Sequence, residues 1–202
     1  MRDVKVAEKK IALIFNMYIT GDRVDEIMDL FFQRNLNTEL LMCEEELDPY
    51  RRALELEIDE YSAIAVVGGD GTLNQVVNGM LARSDQKRLP IGLVPTGMSN
   101  DFARSFCLTK EMTEKAVDVI AKGQAIGIDT TRVLLDVNYE SQLPSGEERM
   151  AKCRHMLVNT SLAMPAKIAN SANGWKGFCG SSAFGWSSFM TSLSCGFSAD
   201  DF

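Results

Sequence analysis

Ser62-Ala-Ile-Ala-Val-Val67 runs without interruption into Gly68-Gly-Asp-Gly-Thr72. A mostly apolar run of this kind, with no polar alternation, suits a strand buried on both faces. Leu73, Val76, Val77, Met80 and Leu81 then recur at helical spacing. Thr72 and Gln75 have capping-box spacing, so Thr72 is expected to cap that helix. A strand turning through glycines into a helix is the repeating unit of a parallel α/β sheet. It brings the helix's free N–H groups to the strand's carboxyl end, where anions bind.

The same grammar extends on both sides. Ile11–Phe15, Thr38–Met42 and Pro90–Val94 read as further strands. Val24, Ile27, Met28, Phe31 and Phe32 mark one helix, and Tyr50, Leu54 and Ile58 another. A third runs from Met112 to Lys122, stopped by Gly123. Strands alternating with helices predict a mostly parallel sheet covered on both faces. After about residue 130 the pattern changes. Thr131–Tyr139 and Cys153–Ser161 read as two strands around a polar loop, followed by a Ser-, Gly- and aromatic-rich tail.

Composition narrows the function classes. The 202 residues are 46% hydrophobic with a net charge of -7, enough for one substantial core. The acidic balance argues against nucleic acid as a partner and against purely electrostatic attachment to acidic lipid. Five scattered Cys without a C-x-x-C pair point to a reducing compartment, hence a cytoplasmic protein. The N-terminus lacks the apolar core of a secretion signal. The uncharged stretch 177–199 is rich in Ser and Gly, so it is expected to be soluble, or interfacial at most.

A second loop, Pro95-Thr-Gly-Met-Ser-Asn-Asp-Phe-Ala-Arg104, follows the fourth strand. Read alone, Ser99-Asn100-Asp101 fits an ordinary helix cap as well as a ligand loop. Paired with the glycine turn on an adjacent strand end, it forms a more specific signal. Three glycines allow close approach of a bulky anion, and Asp70 adds a carboxylate where phosphates and Mg²⁺ would meet.

Gly68-Gly-Asp-Gly-Thr-Leu-Asn-Gln-Val-Val-Asn-Gly79, together with residues 95–104, resembles the diacylglycerol kinase catalytic-domain superfamily. That superfamily includes diacylglycerol, sphingosine, ceramide and acylglycerol kinases. The resemblance implies an NAD kinase-like α/β ATP-binding domain over 9–131. It also implies an incomplete, β-sandwich-type lipid-binding domain over 132–202. It further implies ATP and Mg²⁺ as cofactors and a lipid alcohol, such as diacylglycerol or a sphingoid base, as acceptor. A transient, peripheral membrane contact is compatible with that chemistry.

By the same resemblance, Asn16, Gly68, Gly69, Asp70, Gly71, Thr72, Leu73, Asn74, Gly97, Ser99, Asn100, Asp101 and Arg104 would surround the nucleotide. Asp70 would be the catalytic and metal-organising residue. The chain departs from the family pattern at Met17, Cys43, Gln75, Met98 and Ser99, and 162–170 carries no acid. Those departures motivate the alternative of a catalytically silent nucleotide-binding protein or a fragment of the same family. An NAD or sugar-phosphate kinase would share Gly-Gly-Asp-Gly-Thr, but Asn100-Asp-Phe-Ala-Arg104 points toward lipid kinases. Phe178, Phe184, Trp186 and Phe189 fit either an acyl groove or a core, and His155 receives no role.

Overall fold

The computed structural model describes residues 9–134 and 153–157, all within one compact unit spanning 1–158. The readings of 135–139, 158–161, 162–170 and the aromatic tail lie outside the described residues.

The chain runs β1 (Lys10–Phe15), α1 (Asp22–Gln33), β2 (Thr38–Met42), α2 (Asp48–Glu55), β3 (Tyr61–Gly68), α3 (Asp70–Ala82) and β4 (Ile91–Pro95). Two further helices follow, α4 (Asp101–Ser105) and α5 (Thr113–Ala121). β1 to β4 form a parallel sheet in the order β2-β1-β3-β4. The chain crosses over β1 to reach β3, so the helices that follow β1 and β3 lie on opposite faces of the sheet. In open parallel sheets, ligands bind at the carboxyl ends of the strands beside such a switch point.

The uninterrupted apolar runs are explained by period-2 burial against two helical layers. Ala12, Ile14, Ile64 and Val66 pack with Ala53 of α2 and with Leu73, Val76 and Met80 of α3. Ile11, Leu13, Phe15, Ala65 and Val67 pack on the other side with Ile27 and Phe31 of α1 and with Val117 of α5. Phe32 does not join them. It is 80% exposed, because one residue past Phe31 the helix has turned about 100° away from the sheet. Ile58 is buried as expected, but in a short 3-10 turn after α2 has ended.

Gly79 lets α2 and α3 meet: a β-carbon there would collide with the Tyr50 carbonyl oxygen. Arg83, just past α3, donates Nη1 to the Leu54 and Leu56 carbonyls at 2.7 and 2.8 Å, closing the C-terminal end of α2. β5 (Thr131–Leu134) pairs antiparallel with β6 (Cys153–Met156), the change of grammar expected near residue 130. No helix among the described residues is long and apolar enough to cross a membrane.

Candidate functional site

Three loops converge at the carboxyl edge of the sheet, after β1, β3 and β4. The Thr96 N–H donates to the Gly68 carbonyl at 2.9 Å, so β3 and β4 stay joined up to the point where both glycine turns begin. A β-carbon on Gly97 would lie 2.6 Å from the Gly69 α-carbon, so the two turns touch backbone to backbone. Gly71 faces open space, with nothing within 4 Å of its β position.

The expected capping by Thr72 does not occur. Gly69 is the N-cap and has no side chain to give, while α3 already begins at Asp70. Thr72 is therefore inside the helix, buried, and its hydroxyl accepts a 2.7 Å bond from Asn16 Nδ2. Asn16 Oδ1 accepts the Tyr18 N–H at 3.0 Å, so this one amide shapes its own turn and ties it to α3. The first intrahelical donor in α3 is Leu73, bonded to the Gly69 carbonyl. Among the described residues the N–H groups of Asp70, Gly71 and Thr72 have no side-chain cap.

Asp70 reaches across to the second loop. Its carboxylate accepts the N–H groups of Asp101 at 2.9 Å and Phe102 at 3.0 Å, capping α4 from another helix. Asn100, at the N-cap position of α4, turns its side chain away from that helix. Its backbone is left-handed at φ 48°, and its amide accepts from the Gly97 N–H at 3.0 Å and donates to the Gly97 carbonyl at 2.7 Å. This buried amide holds the 97–100 loop in shape, while Met98 and Ser99 stay exposed.

Asn16, Gly68–Thr72, Gly97, Asn100 and Asp101 are thus brought together. Leu73 is placed in the core, and Asn74 faces Asn78. Arg104 is exposed on α4, 3.8 Å from Asp101. Cys43, at the end of β2, is buried, and desolvation pushes its thiol up to about 11. Among the described residues no three His, Cys, Asp or Glu side chains gather as metal ligands.

Two features escaped the sequence reading. Asn78 donates to the His155 carbonyl at 2.9 Å and accepts the His155 N–H at 2.8 Å, serving as a strand partner for β6. Its recurrence four residues after Asn74 was the available signal, since that spacing puts both amides on one helix face. A cleft of about 440 Å³ also opens beside the loops, lined by Tyr18, Ile19, Thr20, Arg23, Thr96, Lys110 and Glu111. Of its two cations, Arg23 comes from α1, far in sequence from either glycine motif, and Lys110 lies six residues past the second.

Residues 11–133 match the sequence model of the diacylglycerol kinase catalytic domain. A diacylglycerol kinase of Staphylococcus carnosus (strain TM300) is 44% identical over 79 residues, 39% of this chain and 24% of that protein. One from Staphylococcus saprophyticus is 37% identical over 117 residues, 58% of this chain and 33% of that protein. Sphingosine kinase 1 of Arabidopsis thaliana is 30% identical over 116 residues, 54% of this chain and 24% of that protein. The chain therefore spans about a quarter to a third of the length of these curated relatives. The crystal structure of a diacylglycerol kinase from Bacillus anthracis str. Sterne superimposes with a TM-score of 0.51 at 23% identity. That match covers 61% of this chain and 44% of that one, and at this identity it speaks for the fold.

Proposed function

This chain belongs to the diacylglycerol kinase catalytic-domain family, and on that premise we propose that it binds ATP at the three converging loops for transfer of the γ-phosphate to a lipid hydroxyl. The acceptor class is diacylglycerol or a sphingoid base, and residues 132–202 contribute to a lipid-binding region. The observation that carries the reading is the contact between the glycine turns. It presents the uncapped start of α3, with Gly71 open in front of it, to an anion.

In this reading the N–H groups of Asp70, Gly71 and Thr72 donate to phosphate oxygens, and the exposed Arg104 adds charge from α4. Asp70 has one backbone N–H on each oxygen and a further lone pair on each, so it is the residue that would hold Mg²⁺ together with phosphate oxygens. Bound there, the ion would neutralise charge on the phosphoryl group in transfer. The lipid oxygen forms the new bond to the γ-phosphorus as the bond to the β-phosphate bridging oxygen breaks, and ADP departs. The hydroxyl proton passes to a base, for which Asp70 is the candidate.

The test is calorimetric titration of the chain with ATP and Mg²⁺, alongside transfer of radiolabelled γ-phosphate to a panel of lipid alcohols. ATP binding is expected, and Asp70→Ala should lose it; transfer to a lipid alcohol would establish kinase activity in this chain. Binding without transfer to any lipid would establish the silent nucleotide-binding alternative instead. No ATP binding by the unaltered chain would overturn the reading.

A further inference from the structure

The loops that would cradle the phosphates contain no cation from Gly68 to Asn74, and the chain as a whole is acidic. Cations instead line the neighbouring cleft. Arg23, in the first turn of α1, donates Nη2 to Thr113 Oγ1 at 2.7 Å and Nη1 to Glu26 at 2.6 Å. The Thr113 hydroxyl donates onward to the Lys110 carbonyl at 3.2 Å. Thr113 is buried at the start of α5. One shielded hydroxyl thus fixes an arginine from α1 against the turn that carries Lys110, 90 residues away in sequence from Arg23 to Thr113. The Lys110 ammonium makes no ion pair among the described residues. Glu111, the one acid lining the cleft, is held below the usual carboxylate range by the Thr109 hydroxyl and, to a smaller degree, by the Lys110 charge. Thr20 and Thr96 complete a lining of hydroxyls and cations, and Thr96 directly precedes Gly97.

We propose that Arg23 and Lys110 bind phosphate oxygens of the nucleotide, with Thr113 as the residue that positions Arg23. This inference rests on the nucleotide reading above and adds two cations to the single one, Arg104, that follows the glycine turns. Two cations on separate elements, one pinned and one free to swing, suit a polyphosphate better than a single carboxylate or a neutral head group.

The experiment is calorimetric titration with ATP and with adenosine, each at two salt concentrations, for the unaltered chain, Lys110→Gln, Thr113→Val and Thr113→Ser. Lys110→Gln should weaken ATP about tenfold, the scale of one charge-assisted hydrogen bond, and flatten its salt dependence, with adenosine unaffected. Thr113→Val should weaken ATP several-fold, roughly half of that effect on a logarithmic scale, and Thr113→Ser should restore it. A purely structural role for Thr113 would lower adenosine and ATP affinity alike and would overturn its assignment. If the unaltered chain binds ATP and Lys110→Gln binds it equally well, this inference fails while the nucleotide reading stands. If Lys110→Gln keeps ATP but loses binding to phosphatidylglycerol vesicles, the cleft serves a lipid phosphate and the nucleotide assignment is overturned. If the unaltered chain binds no ATP, the nucleotide reading itself fails and takes this inference with it.

Discussion

Gly69 and Gly97 lie in contact through their backbones: a β-carbon on Gly97 would sit 2.6 Å from the Gly69 α-carbon, and one on Gly69 would sit 3.0 Å from the Gly97 α-carbon. Neither partner is a side chain that could swing aside. The contact sets the spacing of the loops after β3 and β4, and with it the shape of the anion cradle. Gly97→Ala must push the two turns apart, at a cost of about 1–3 kcal/mol. Denaturant unfolding should show that loss, and ATP titration should show weaker binding. Ser99→Ala, in the exposed part of the same loop, should change stability by less than about 0.5 kcal/mol.

Asp70 has a structural task besides any chemical one. Because its two oxygens accept the Asp101 and Phe102 N–H groups, Asp70→Asn replaces one acceptor with an NH₂ that faces another donor. The expected loss is about 1–3 kcal/mol of stability, since one amide is left unpaired. Hydrogen exchange at the amides of residues 101 and 102 should accelerate in this variant. Unchanged exchange there would mean that the carboxylate does not cap α4 in solution.

These contacts mark the limit of what the sequence could reveal. The sheet was legible because burial on both faces leaves a one-dimensional trace, as in Ile11–Phe15, and because glycines mark the strand ends. Phe32 misled because α1 carries an aromatic on each side of the boundary between its buried and exposed faces. Periodicity alone does not locate that boundary. The ties between loops were invisible for a different reason. Asn16 with Thr72, Asp70 with α4, and Arg23 with Thr113 each join residues 30 to 90 positions apart, and no local rule links them. The Thr72 capping box failed because Gly69 and Asp70 start the helix earlier than the spacing suggested.

Cys43 and Cys107 should differ sharply toward alkylating reagents. Cys43 is buried, and desolvation together with the Asp48 charge raises its thiol from 9.0 to about 11, whereas Cys107 is exposed. At pH 8 a thiol with that value is ionised to only about one part in a thousand. Mass-spectrometric mapping after iodoacetamide treatment should find Cys107 modified and Cys43 spared. The sign for stability follows from the same shift. Folding favours the neutral thiol, so this contribution is intact below pH 9 and is lost as pH rises toward 11. Cys43→Val should remove that alkaline decline, which a pH series of melting curves would detect.

Asn78→Asp is the sharpest probe of how α3 holds β6. The substitution keeps the side-chain shape and keeps Oδ1 to accept the His155 N–H. It removes an Nδ2 that serves three acceptors: the Asn74 carbonyl at 2.8 Å, Asn74 Oδ1 at 3.0 Å and the His155 carbonyl at 2.9 Å. A carboxylate would set negative charge against those three oxygens in a mostly buried site. The predicted cost is therefore at least about 3 kcal/mol, more than the loss of a single hydrogen bond. Asn78→Ala removes the donors without adding charge and should cost less than Asn78→Asp. Low pH should narrow the gap between the two variants, because the introduced carboxyl group regains one donor when it is protonated. Denaturant unfolding at pH 7 and pH 4 tests the ordering, and equal stability of the two variants at pH 7 would show that the Nδ2 contacts do not form.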